Sequence, residues 1–146
     1  MLNYSSCLTL EDVNMTNFKF VISDGKRSWQ VEKNQSECPI MGKKIGDAFS
    51  GEFLGLHGYE LQITGGSDKD GFPMMKDVDG IVRKKIILTK GFAFAAEKEG
   101  ERKRKLVRGN TIAADIVQVN CKVVKQGDRP IEGILGSRKK EEKAEA

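Results

Sequence analysis

The stretch Tyr59-Glu-Leu-Gln-Ile-Thr-Gly-Gly-Ser-Asp-Lys-Asp-Gly-Phe-Pro-Met74 decides how the chain reads. Its first six residues alternate, with Tyr59, Leu61 and Ile63 on one side and Glu60, Gln62 and Thr64 on the other. That is the period of a half-buried strand. The part that follows holds Gly65, Gly66 and Gly71 together with Asp68 and Asp70, ahead of Phe72-Pro73. Glycines take special backbone angles and aspartates cap turns, so a structured loop is expected there.

The same grammar recurs on both sides. Phe18, Phe20 and Ile22 alternate with Lys19 and Val21, Asp24-Gly25 signals a turn, and Ser28–Lys33 alternates through Trp29 and Val31. These form a predicted hairpin, with Trp29 packed on its face. Asn34–Met41 reads as a loop around Pro39. Lys43–Phe49 is expected to hold one or two helical turns, since Ile45, Ala48 and Phe49 share a helical face, although Gly46 weakens it. Ile81–Lys90 reads as a mixed strand. Thr111–Lys125 is the longest strand candidate, with Val117, Val119, Cys121 and Val123 on one side. No helical period of any length appears. The expected fold is mainly β: a small β-barrel-like single domain with short helical turns and a charged C-terminal tail. Residues 1–14 are expected to be a flexible extension with Met15 as the start. Residues 15–130 would form the β domain and 131–146 the tail, rich in Lys, Glu and Ala from Arg138 onward.

Length and composition agree with one core. A chain of 146 residues is too short for two comfortable ones. It carries neither an apolar run of membrane-spanning length nor a signal-peptide pattern, so a cytoplasmic protein is expected. The net charge of +4 is unevenly placed. Residues 1–100 hold 13 Lys and Arg against 14 Asp and Glu, whereas residues 101–146 hold 12 against 7. Basic character is concentrated in the last third, as in a localised electrostatic footprint. Cys7, Cys38 and Cys121 are odd in number and unpaired in spacing, which argues against a disulfide framework and structural zinc. His57 is the only histidine and reads as a turn residue.

The Asp/Gly stretch fails each catalytic test. From Gly66 to Gly71 it has the gap of a phosphate loop, but Phe72-Pro73 stands where Lys and Ser or Thr are required. As a calcium loop it loses an oxygen ligand at Phe72 and the obligatory glycine at Pro73. As a glycosidase pair, Asp68 and Asp70 share one loop with nothing to split their pKa values. Turn capping is the expected role of these aspartates, and of Asp77 and Asp79. No nucleophile–base pair is found, so neither an enzyme, a cofactor nor a small-molecule substrate is expected. A metal-assisted hydrolase built on Asp68 and Asp70 is the most distant reading.

The cations combine better. Gly100-Glu-Arg-Lys-Arg-Lys-Leu-Val-Arg-Gly109 places Arg102, Lys103, Arg104 and Lys105 in an unbroken run, with Arg108 following. Such a run repels itself and is relieved by polyphosphate, each neutralised phosphate releasing counterions. Arg83, Lys84, Lys85 and Lys90 fall in the strand before it, and Lys69 stands at the tip of the Asp/Gly loop. If two adjacent strands flank the connection, one end of the domain becomes a cationic patch. It is poor in aromatics, which favours backbone and shape contacts over stacking.

The two motifs together, Ile63–Met74 followed by Gly100–Gly109, closely resemble the small-subunit ribosomal protein S-six-e family of archaea and eukaryotes, in its archaeal length. The resemblance covers roughly Phe18 to Gly127. It implies a structural component of the small ribosomal subunit acting in translation, with ribosomal RNA and neighbouring ribosomal proteins as partners. Arg102, Lys103, Arg104, Lys105 and Arg108, in a basic loop, would contact RNA phosphates, and Gly65, Gly66, Lys69, Gly71 and Phe72 would form a rigid, closely approaching loop. The phosphorylated serine-rich tail of eukaryotic members is not matched, so its signalling roles are not implied. A free-standing RNA-binding β-barrel in RNA processing or translation regulation is the alternative.

Overall fold

The computed structural model describes residues 17–136; the expected extension at residues 1–14, Met15 and the Lys/Glu-rich end from Arg138 lie outside them. The strands are β1 (Asn17–Asp24), β2 (Arg27–Asn34), β3 (Ala48–Ser50), β4 (Glu60–Asp68), β5 (Arg83–Leu88), β6 (Lys103–Arg108) and β7 (Ile116–Lys125). One short helix, α1 (Ile131–Leu135), follows, and single 3-10 turns span Gln35–Glu37 and Gly51–Leu54.

Five strands form a mixed sheet in the order β2-β1-β7-β4-β3. β1 and β2 make the expected hairpin, with Gly25 in the turn at φ +59°. β1 then lies parallel to β7 and β7 antiparallel to β4, so the two ends of the described body meet in the middle of the sheet. The alternation in sequence becomes burial: Phe18, Phe20 and Ile22 on β1, Leu61 and Ile63 on β4, and Val119 and Cys121 on β7 are almost fully inaccessible. Each such large apolar side chain contributes about 1.5–3 kcal/mol of transfer free energy. Ile40, Leu56, Tyr59 and Ile112 from the connections close over that face, and Trp29 packs against its rim.

Four expectations need correction. The described pairing leaves β2 and β3 as free edges, so the sheet is open and not a closed barrel. Lys43–Phe49 is not helical. Gly46 sits at φ +100°, and the main chain there bonds outward instead, Gly46 N–H to Ile63 O and Ile45 N–H to Asn110 O. Gly65–Asp68 belongs to β4 and not to a loop. The register shift between Ile63 and Gly65 leaves Thr64 as an extra residue that bends the strand, and Gly65 and Gly66 pair beyond it with Asn120 and Val119 of β7. Finally, residues 131–135 are not a solvated tail. Ile131 is 2% exposed in the core, with Ile134 and Leu135 packed against it.

Candidate nucleic-acid interface

β5 and β6 pair into a separate antiparallel ribbon. The cationic run from Lys103 is therefore strand, where a basic loop was expected. Residues directly opposite share a face. One face carries Lys84 with Val107, Ile86 with Lys105, and Leu88 with Lys103. It closes a small second core, in which Val107 and Leu88 are buried with Val78 and Phe94. The other face carries Lys85 with Leu106 and Ile87 with Arg104, and ends at Arg83 with Arg108. Lys84, Lys85, Lys90, Arg102, Lys103 and Arg104 are exposed, and none takes part in an ion pair among the described residues. The acidic residues of the connection, Glu97, Glu99 and Glu101, line a pocket together with Lys90, and the Glu101 carboxylate accepts the backbone N–H groups of Glu97 and Lys98.

The remaining cations of the expected site are employed internally. Asp68 is 3% exposed, and its Oδ2 accepts Arg83 Nε at 2.7 Å and Arg108 Nη1 at 2.7 Å. Arg108 is buried and reaches Asp115 at 3.3 Å. Arg83 also bonds Asp70 and lies over the Phe72 ring, 5.0 Å from its centroid. Lys69 pairs with Asp115 at 3.9 Å on the exposed side. Lys105 donates to Ala93 O at 3.2 Å and sits over the Phe94 ring at 5.2 Å. Burial pushes the Asp68 pKa up, but hydrogen bonds and charge from Arg83 and Arg108 outweigh it and hold the carboxyl below its ordinary value. The same bonds, from Asp68 first and Asp70 second, raise that of Arg83.

These contacts make the Asp68 region a joint between sheet and ribbon. Met74 N–H bonds Gly66 O, and Arg108 N–H bonds Pro73 O, both at 2.9 Å. Gly66 has no room for more: a Cβ there would stand 2.4 Å from the Gln118 carbonyl oxygen. Gly71 occupies φ +85°, which glycine takes without strain. Gly65 has nothing within 4 Å of a Cβ position. The aspartate expected to cap turns is thus an ion-pair centre, and Asp115, its partner across Arg108, carried no sequence signal at all. Asp79 accepts from the Asn110 side chain at 2.9 Å. His57 is exposed in a turn. Burial raises the thiol of Cys121 to about 12; that of Cys38 rises through burial and then Glu37, partly offset by Lys33. No group of acidic, histidine and cysteine side chains suited to a metal occurs among the described residues, and none of their helices is long and apolar enough to cross a membrane.

The family model described as ribosomal protein S6e matches residues 18–136. A small ribosomal subunit protein eS6 from Methanothermobacter thermautotrophicus is 49% identical over 121 residues, covering 82% of this chain and 96% of that relative. Its counterpart in Methanocaldococcus jannaschii is 48% identical over 84% of this chain and 93% of its own length. In Methanosphaera stadtmanae the identity is 46%, over 86% and 97%. The match begins at the first buried residue of β1 and ends just past α1, so it takes in the sheet, the ribbon and their joint: this chain belongs to the ribosomal protein S6e family.

Proposed function

We propose that the chain is a structural component of the small ribosomal subunit, and that it holds ribosomal RNA on the exposed cations of the β5–β6 ribbon. The family is one of ribosomal proteins and not of enzymes. The observation that carries the reading is the contrast within one cluster of cations. Arg83, Arg108, Lys69 and Lys105 are matched by protein groups, whereas Lys84, Lys85, Lys90, Arg102, Lys103 and Arg104 stand exposed without a carboxylate partner among the described residues. No ion pair among the described residues offsets the repulsion among those six, and a phosphate backbone relieves it. Arg104 offers bidentate phosphate contact, while Lys84, Lys85 and Lys103 act as point charges. Arg108 and Arg83 position the ribbon in this scheme and do not touch RNA.

Replacing Lys84, Lys85, Lys103 and Arg104 with Ala should weaken binding to small-subunit RNA. The slope of log affinity against log salt should fall by roughly 0.7–0.9 per lost phosphate contact. A slope unchanged from wild type would sink the assignment of the ribbon. Co-sedimentation with the small subunit in high salt tests the ribosomal role itself; protein left at the top of the gradient would instead favour a free-standing RNA-binding module.

A further inference from the structure

Beside the phosphate-facing cations, β6 keeps an open edge. Arg108 N–H donates to Pro73 O and Arg108 O accepts from Met75 N–H, each at 2.9 Å, so both main-chain groups of Arg108 point away from β5. Along an antiparallel strand that direction recurs at every second residue. The N–H and C=O of Leu106 therefore also point outward, and neither finds a partner among the described residues. Leu106 itself lines a half-open slot of about 260 Å³ together with Phe72, Pro73, Ala93 and Lys105. This is smaller than the roughly 300–1,000 Å³ of sites for drug-sized ligands and has room for a single ring system.

The walls of the slot are braced. Arg83 lies over the Phe72 ring, and Lys105 is fixed between Ala93 O and the Phe94 ring. Ala93 holds φ +60°, the one positive value of a non-glycine among the described residues, inside a turn in which Gly91 and Phe94 bond each other in both directions. A backbone in that region costs free energy and persists where its surroundings over-determine it.

We propose that this slot takes one unpaired RNA base, its edge against the Leu106 main chain and its face against the apolar walls. An adjacent donor and acceptor complement a base edge that offers an acceptor beside a donor, the kind of edge that proteins read on splayed-out bases. Exposed Lys85, Lys103 and Arg104 on the same ribbon select a polyanion over a peptide as the bearer of that group. The proposal rests on the reading of the ribbon as an RNA surface.

The test uses the full chain and two RNA hairpins, one with a fully paired stem and one with the same stem carrying a single bulged nucleotide, made in turn with each of the four bases. Affinity is followed by fluorescence anisotropy. Wild type should bind at least one bulged stem about tenfold more tightly than the paired stem, the effect of one stacked base. Leu106→Pro removes the outward N–H without removing a rung of the β5–β6 ladder, and Leu106→Trp fills the slot by a different route. Either variant that melts as wild type does should lose the preference while keeping the salt slope. Wild-type binding without preference for any bulge would overturn the slot and leave the ribbon's exposed cations standing as the RNA contact, as would a preference that survives Leu106→Trp. Failure of wild type to bind any of the hairpins would overturn both.

Discussion

Gly65 and Gly66 are neighbours in sequence and unlike in function. A Cβ on Gly66 would meet the main-chain oxygen of Gln118 at 2.4 Å and the Met74 sulfur at 3.1 Å. The first of these is backbone in the middle strand of the sheet and cannot swing aside. Gly65 faces open space and needs no positive φ. Gly66→Ala should therefore destabilise by about 1–3 kcal/mol, the usual cost of overpacking a tight site. Gly65→Ala should fall within about 0.5 kcal/mol of wild type, as surface changes usually do. Urea denaturation of both variants decides it, and equal losses would mean that the close approach of β4 to β7 is not what requires glycine. A pair of adjacent glycines reads as one loop signal in sequence. Which of the two is sterically obliged depends on a carbonyl some fifty residues away in the chain, and no local pattern carries that.

The ribbon poses the same question for its cations. Lys103 and Lys105 are two residues apart on β6, but Lys105 caps Ala93 O and covers the Phe94 ring, while Lys103 is exposed. Lys105→Ala should lower the melting temperature with little change in the salt dependence of RNA binding, because it removes a brace and not a phosphate contact. Lys103→Ala should do the reverse, reducing the logarithmic salt slope by roughly 0.7–0.9 at an unchanged melting temperature. If both variants moved the same observable, the division of β6 into bracing and binding cations would be wrong. The strand itself was illegible in sequence. Four consecutive cations have no polar–apolar alternation, and only pairing with β5 and burial of Val107 make the last three of them strand. β1, β2, β4 and β7 were legible because their buried and exposed residues alternate locally. The parallel pairing of β1 with β7, and hence an open mixed sheet in place of a barrel, is non-local and left no mark. So too the Asp68–Arg108 bond, which joins residues 40 apart: each residue was visible as a polar group, and their meeting was not.

At the scale of the molecule, two cores and two sheets are held together through one joint. The larger core lies under the five-stranded sheet and the smaller under the ribbon. Between them stand the Asp68 ion pairs, the main-chain bonds from Pro73 to Met75, and Asn110, whose N–H donates to Val78 O at 2.8 Å. Asp68 makes this joint sensitive to acid. Its folded pKa is depressed, so its contribution is complete above the ordinary carboxylate value near 3.8 and is lost as pH falls through the lower, folded value. Protonation leaves Arg108 buried without its full counter-charge, a costly state. The five-stranded sheet depends on apolar burial that does not titrate in this range. Lowering the pH through and below about 4 should therefore loosen the ribbon before the sheet. Hydrogen exchange read by mass spectrometry should show amides of β5 and β6 losing protection while those of β1, β4 and β7 keep theirs. In Asp68→Asn the ribbon should exchange faster already at neutral pH and respond less to acid. Simultaneous loss of protection in sheet and ribbon, in wild type and variant alike, would show that the joint is not where the molecule first gives way. RNA bound to the ribbon should oppose the same opening, since a ligand that binds the closed form alone stabilises it by mass action.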